Sequence, residues 1–309
     1  MKKQIAFIGL GKMGFGMVER LLQKGWEVAA FDLAKEAVQK VREIGAEGAE
    51  SLKEVAGFFE PPRLFWIMVP SFAKATAGRP SGKPVDDILE GIAPFLEKGD
   101  IVIDGGNSYF KDSQRRAKEL AQKEVFYLDV GVSGGPVSIR EGKFAIMVGG
   151  KKEAYDKTGP VFEALSDTPS GYIGESGAGH FVKMIHNGIE YGMMQALAEG
   201  FTLLKEAPLE IGVQDAAKVY NQNSIITSRL TKWLQEGFEK YGEELPEASG
   251  SVAHTGEGEW TVKTAKEMKI PVPVIEAAFR FRVESQKKPS YTGKILSMLR
   301  AVFGGHSMK

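Results

Sequence analysis

Lys183, Asn187, Glu190 and Tyr191 occupy positions i, i+4, i+7 and i+8 of the stretch HFVKMIHNGIEYG, residues 180–192. In a helix those positions share one face, a stripe about 120° wide at roughly 100° per residue. His186 lies at its edge. An amine, a carboxylate and a phenol on one stripe can exchange protons with a ligand, and an amide can hold it. A lysine works as a base near neutral pH only when its pKa is lowered, which partial burial on an otherwise apolar helix provides. Phe181, Ile185 and Ile189 are expected to point away into the core. A plainer explanation is a wet face with a Lys–Glu pair. A surface stripe, though, ordinarily holds more charge and fewer amides, glycines and aromatics.

The elements that would place such a stripe begin at the other end of the chain. Gln4–Ile8 reads as a strand, Gly9-Leu10-Gly11-Lys12-Met13-Gly14 follows, then a helix through Leu22 ending near Gly25, then a strand Trp26–Phe31 closed by Asp32. Strand, G-x-G-x-x-G, helix, strand and an acid about 20 residues along form the dinucleotide fingerprint. Gly9 permits the tight turn, Gly11 lets backbone approach a pyrophosphate, and Gly14 lets helix and strand pack closely. The phosphates then meet the free N–H groups and positive dipole of the helix start. Asp32 can accept hydrogen bonds from both ribose hydroxyls and would repel a 2′-phosphate. No arginine follows it, so NAD is expected in preference to NADP.

Leu64–Val69 and Asp100–Ile103 read as buried parallel strands, with Phe126–Val130 and Ala145–Val148 as later ones and helices at 35–44, 85–97 and 112–123 between them. This is an α/β, doubly wound sheet of Rossmann type, whose ligands bind beyond the carboxyl ends of the strands. Val69 and Asn107 are placed against the cofactor there. The loops Asp104-Gly105-Gly106-Asn107-Ser108 and Gly131-Val132-Ser133-Gly134-Gly135 offer bare backbone donors and the side chains of Asn107 and Ser133. Each alone also fits a plain turn. The small-residue stretch 71–84, with Lys74, Arg79 and Lys83, reads as a solvated insertion or a lid. After about Ser166 the strand signals stop. A long helix, Ser176–Glu206, is followed by helical stretches at 213–222, 226–240, 259–268, 272–286 and 291–303. Two domains are expected, 1–166 for NAD and an all-α 167–309 for substrate and assembly.

Bulk composition fits two ordinary globular domains. The 309 residues are 43% hydrophobic and 26% charged, with formal net charge +0, too long for one comfortable core. Charge balance gives no sign of a nucleic-acid or membrane-surface partner. The chain has no cysteine, which excludes disulfides and thiolate ligands. The opening MKKQIAFIGLG superficially looks like a signal peptide, but the apolar run breaks at Gly9–Lys12 and no small-residue cleavage site follows. A cytoplasmic protein is expected.

Six motifs run in order over nearly the whole chain: the glycine loop at 9–14, DGGNSYFKDSQRR at 104–116, GVSGG at 131–135, GAGHFVKMIHNGIEYG at 177–192, GEGEWT at 256–261 and RAVFGGH at 300–306. Together they resemble 6-phosphogluconate dehydrogenase, the decarboxylating family within the β-hydroxyacid dehydrogenases. Length and Asp32 are similar to its short, NAD-preferring branch. The resemblance implies that Lys183 is the base that takes the 3-hydroxyl proton. Glu190 would be the acid that protonates C1, with Asn187 beside them. Asn107, Ser133, Gly134, Gly135, His186 and Asn187 would hold the carboxylate and hydroxyls of the sugar acid. Tyr191 would contact the phosphate. Arg300 and His306 would reach a neighbouring subunit's site, implying a homodimer or homotetramer. No metal is implied, because a 3-keto acid loses CO2 without one.

Two positions depart from the family pattern. Glu259 stands where longer members have a lysine, and Ser290 where an arginine is expected. Phosphate binding would then fall to Arg300, Lys263 or Lys287. Two other readings stay open: a sister dehydrogenase that oxidises a smaller β-hydroxyacid without losing CO2, and a non-catalytic NAD-binding sensor.

Overall fold

The structure, a computed structural model, describes residues 2–70, 83–254 and 256–308. The proposed insertion therefore lies largely outside the described residues. The chain forms two compact units, Met1–Lys183 and Met184–Lys309.

Unit 1 runs β1 (Gln4–Ile8), α1 (Lys12–Gln23), β2 (Glu27–Phe31), α2 (Lys35–Glu43), β3 (Glu47–Gly48), α3 (Leu52–Gly57), β4 (Leu64–Ile67), α4 (Pro84–Ile92), β5 (Ile101–Asp104), α5 (Phe110–Ala121), β6 (Phe126–Ser133), α6 (Pro136–Glu141), β7 (Ala145–Gly150), α7 (Lys152–Leu165) and β8 (Gly171–Gly174). The eight strands form one sheet in the order β3-β2-β1-β4-β5-β6-β7-β8. The order reverses between β1 and β4, the point where such sheets bind ligands. Strands β1, β4 and β5 are largely apolar runs, QIAFI, LFWI and IVID, because both faces are covered. Leu64 and Trp66 of β4 pack on one face, with Met17 and Leu21 of α1 and Phe162 of α7. Phe65 and Ile67 pack on the other, with Val85 and Ile92 of α4 and Leu120 of α5.

Several features differ from the sequence reading. β7 runs antiparallel to β6. β6 continues through Gly131, Val132 and Ser133, which pair with Met147, Ile146 and Ala145, so only Gly134 and Gly135 remain as a loop. The sheet also takes two strands beyond the six read from the sequence: β3, and, past the Ser166 point where strands were expected to stop, β8, whose GYIG sequence has no apolar alternation to announce it. Helix α7 was not read from the sequence either, and it carries Pro160 inside it. Pro160 sits on an exposed face of α7 while Val161, Phe162 and Leu165 are buried.

The long helix α8 (Ala178–Glu206) starts in unit 1 and continues into unit 2. There follow α9 (Val213–Tyr220), α10 (Arg229–Tyr241), α11 (Glu257–Glu267), α12 (Pro273–Ser285) and α13 (Tyr291–Gly304). Met194, Ala198 and Phe201 of α8 meet Leu234 and Phe238 of α10 and Ile295 and Leu299 of α13 in the unit 2 core. The packed side of α8 is not the one expected. Ile189 is 52% exposed, whereas Met184 and Tyr191 are buried. Gly188 is the reason: a Cβ there would lie 2.7 Å from the Thr261 methyl, so bare backbone lets α11 press on α8. Among the described residues no helix is long and apolar enough to cross a membrane.

Candidate active site

In unit 1 the glycine loop joins the end of β1 to α1 at the carboxyl edge of the sheet. Gly9 has φ +102, and a Cβ on it would lie 2.4 Å from Met68 O; one on Gly14 would lie 2.0 Å from Gly9 O. These two glycines are demanded by the protein's own packing. A Cβ on Gly11 would meet nothing within 4 Å, so the space it leaves is open. Gly11 caps α1 without a side-chain bond, and the first-turn N–H groups of a helix point out of its start, toward where an anion would sit. Leu10 is buried, Lys12 is exposed and Met13 is half-buried. Asp32 follows β2, and its carboxylate accepts from Leu10 N–H (2.6 Å) and Ala34 N–H (2.8 Å). That ties the acid to the loop and fixes both at one edge. Glycines, the amides at the start of α1 and an acid just beyond β2 fit a nicotinamide dinucleotide.

Val69 and the 105–107 loop come together at the same edge, since a Cβ on Gly106 would sit 2.7 Å from Val69 O. Beneath Asn107 lies a buried network. Asp104 accepts from Tyr127 Oη (2.7 Å), Ser108 Oγ (2.8 Å) and Arg116 Nη1 (3.0 Å), and from Gly106 N–H (3.1 Å). Arg116 Nε also donates to Asp86 (2.7 Å). Burial works against the Arg116 charge, but Tyr127, Asp86 and Asp104 outweigh it and its pKa is raised. Burial, then Asp104, raises the Tyr127 phenol well above its usual value, so it stays a neutral donor. Arg116→Met would leave the Asp104 charge buried with its cation gone. It should cost roughly 3–5 kcal/mol, read as a thermal transition lower by on the order of 10 °C; an unchanged transition would remove this network as the anchor of the Asn107 loop.

Ser133 and Gly134 are half-buried, Gly135 is buried, and they end β6 at the same edge as β5. Lys183 lies against this strand: a Cβ on Gly131 would come within 2.5 Å of Lys183 Cβ. The lysine stem thus rests on bare backbone near the carboxyl end of β6, half-buried.

In unit 2, α8 carries the rest of the stripe. His186 Nδ1 is 3.0 Å from Asn187 Oδ1 and 3.8 Å from the Glu190 carboxylate. Tyr191 is buried under Arg282, whose Cζ stands 3.4 Å from the ring centroid, and against Gly258, where a Cβ would lie 2.5 Å from the ring. Arg282 and Arg300 are both buried, with Glu257 buried beside them. Burial pushes the Arg282 pKa down and Arg300 adds to this, while Tyr191, Glu190 and Glu257 oppose it. Burial likewise lowers Arg300, against Tyr191, Glu257 and Glu190. Arg300 thus lies within electrostatic reach of Arg282, and the two buried guanidiniums share Tyr191, Glu190 and Glu257 as neighbours.

Arg282 is the residue that reading the sequence missed. It sits in FRFRV, where an arginine between apolar residues gives no local sign of its neighbours. Ser290 instead caps α13, accepting from Gly293 N–H (3.2 Å). Glu259, Lys263 and Lys287 are exposed. His306 is exposed beyond α13, its N–H directed to Arg300 O (3.4 Å). Among the described residues no group of three His, Asp or Glu side chains is arranged to hold a metal.

A Rossmann-type sheet with this loop and acid, joined by one helix to a helical unit, defines a nicotinamide-dependent oxidoreductase. Residues 4–174 match the NAD binding domain of 6-phosphogluconate dehydrogenase, and residues 179–297 match the 6-phosphogluconate dehydrogenase C-terminal domain. The chain belongs to the 6-phosphogluconate dehydrogenase family. It is 39% identical to the NAD(+)-dependent, decarboxylating 6-phosphogluconate dehydrogenase of Haloferax volcanii, over 99% of this chain and 98% of that one. Among solved structures, 6-phosphogluconate dehydrogenase of Plasmodium falciparum, described with NADP+ and with 6-phosphogluconate, superposes with a TM-score of 0.78 at 27% identity. That match covers 98% of this chain and 70% of the Plasmodium one. Mycobacterium tuberculosis 3-hydroxyisobutyrate dehydrogenase reaches a TM-score of 0.77 at 20% identity, covering 97% and 100%, a likeness of fold alone.

Proposed function

We propose that the chain oxidises 6-phosphogluconate at C3 and decarboxylates it to ribulose 5-phosphate and CO2, with NAD preferred. The observation that carries this reading is the seat of Lys183 on Gly131, at the sheet edge that holds the glycine loop, Asp32 and Asn107. NAD bound at that edge supplies the hydride acceptor. Neutral Lys183 takes the proton from the 3-hydroxyl as the C3–H bond breaks, leaving a ketone β to the carboxylate. The C1–C2 electron pair of the departing CO2 then flows to that carbonyl, and protonated Lys183 returns its proton to the oxygen. Glu190, two turns further along α8, protonates the new carbon terminus of the enediol. Asn107, Ser133, Gly134, Gly135, His186 and Asn187 hold the carboxylate and hydroxyls. The terminal phosphate goes to Tyr191, Arg282 and Arg300, the two guanidiniums standing in for the cations absent at Glu259 and Ser290; Arg300, expected to reach a neighbouring subunit, is instead buried near Tyr191 of its own chain. Exposed Ile189, Met193, Leu203 and Val274 on unit 2 suit the homo-oligomer implied by the resemblance, with His306 given to a neighbouring site.

A coupled assay that follows NADH and CO2 together, with NAD and NADP in parallel, tests this reading. Equal amounts of both products from 6-phosphogluconate are expected. NADH without CO2 would favour a sister dehydrogenase, and neither product a sensor. In the same assay Asp32→Ser should lower the NAD:NADP ratio of kcat/KM at least about tenfold, since removing the acid removes both a ribose acceptor and the repulsion of a 2′-phosphate. An unchanged ratio would take the choice of cofactor away from Asp32.

A further inference from the structure

Asp129 is a carboxylate in the middle of the sheet that the mechanism above does not use. It lies in β6, opposite Gly149 of β7, and is 0% exposed. One of its oxygens accepts the N–H of Gly177 (2.7 Å) and the other the N–H of His180 (2.9 Å). Both donors lie at the start of α8, where backbone N–H groups have no partner inside the helix. The positive end of the helix therefore faces the buried charge. A carboxylate so deep in apolar surroundings is costly unless such donors compensate it.

The clamp is tight on every side. A Cβ on Gly179 would lie 2.2 Å from Asp129 O and 2.7 Å from Gly149 N. One on Gly149 would lie 2.5 Å from Gly179 N. From α5, Ser113 Oγ meets His180 Nδ1 at 2.7 Å. Residues 129 and 131 point to the same face of the strand, so the strand that grips the helix at Asp129 also seats the Lys183 stem at Gly131. His180, the last N–H gripped, is one helical turn before Lys183.

We propose that Asp129 is a positioning residue for the base: by holding the first turn of α8 against the sheet it sets the depth and rotation at which Lys183 presents its amine. This rests on Lys183 being the base. The carboxylate matters because both of its oxygens accept. An asparagine keeps one acceptor and turns an NH2 group against the other N–H, so the helix start must move. A displacement of about 1 Å at a reacting group costs on the order of 10²-fold in rate.

Asp129→Asn in the full-length enzyme is expected to lower kcat by about 10–100-fold, with the KM for 6-phosphogluconate and the Kd for NAD changed by no more than about threefold. The primary deuterium isotope effect on kcat, measured with substrate deuterated at C3, should rise, because C–H cleavage is the step that slows. The fraction of active enzyme cancels in that ratio, so a loss of folded protein leaves it at the wild-type value. Gly131→Ala pushes the lysine stem from the opposite side and should give the same signature with the carboxylate intact. Wild-type kcat in Asp129→Asn, or a lower kcat with a wild-type isotope effect, overturns the proposal. Lys183→Ala separates the two levels: full activity there removes the reading beneath, whereas an inactive Lys183→Ala beside a wild-type Asp129→Asn removes this inference alone.

Discussion

Lys183→Ala should lose turnover by at least about 10²–10⁴-fold, the usual worth of a positioned proton-transfer group, while the Kd for NAD stays near the wild-type value. The two halves of that expectation have separate causes. The groups that would hold the dinucleotide are the amides after Gly9, the open space at Gly11 and the Asp32 carboxylate, which is itself fixed by Leu10 and Ala34. None depends on the lysine side chain. Truncation to alanine keeps Cβ, the atom that rests on Gly131, so the seat in β6 survives and only the amine and its stem are lost. Without the amine, the 3-hydroxyl proton has no acceptor as the C3–H bond breaks, and the ketone oxygen has no donor as CO2 leaves. The loss should therefore appear in kcat and in kcat/KM alike, the pattern of an interaction realised in the transition state. Equilibrium binding of NAD followed by fluorescence, alongside the coupled assay, measures both halves. Near-normal turnover in Lys183→Ala would end the assignment of the base.

Local pattern explains which parts of this molecule could be read in advance. The glycine loop and Asp32 were legible because the spacing strand, glycine loop, helix, strand and acid is written in one short stretch, and Gly14 must be bare because it touches Gly9, although Gly9 itself is pressed by the distant Met68. Helix α8 was legible because its length and spacing are local too. Which of its faces packs was not, because the deciding residue is Gly188 meeting Thr261, a contact across 73 positions of sequence. Ile189 looked like core and is exposed for that reason. The antiparallel β7 and the short β8 were hidden because strand direction and edge pairing depend on partners, not on composition. Arg282 was hidden for the same cause as Gly188, since its meaning lies in Tyr191, far away in the chain and 3.4 Å away in space. Asp129 shows the same limit: an acid in a strand reads as a defect until the helix start that it caps is folded over it.

That lesson makes the arginine pair the sharpest test of substrate. Arg282→Met and Arg300→Met should each raise the KM for 6-phosphogluconate by about 10–150-fold, since a hydrogen bond to a charged group contributes about 1.5–3 kcal/mol. The kcat should change little, because a terminal phosphate is gripped equally in the ground and transition states. Stability gives an independent sign. Burial and Arg300 disfavour the Arg282 charge, while Tyr191, Glu190 and the buried Glu257 favour it, so an apolar side chain of similar length removes opposing contributions together. The thermal transition of Arg282→Met should therefore move by only a few degrees while substrate affinity falls. A residue kept for folding would do the reverse. Gluconate, which has the same reacting carbons and no phosphate, provides the control: its kcat/KM should be poor in the wild-type enzyme and unmoved by either substitution. Inorganic phosphate should compete with 6-phosphogluconate in the wild type and lose that effect in the double variant. If both single variants keep the wild-type KM for 6-phosphogluconate, the buried guanidiniums belong to the helical core, and a smaller, unphosphorylated acid becomes the better substrate for the same Lys183 chemistry.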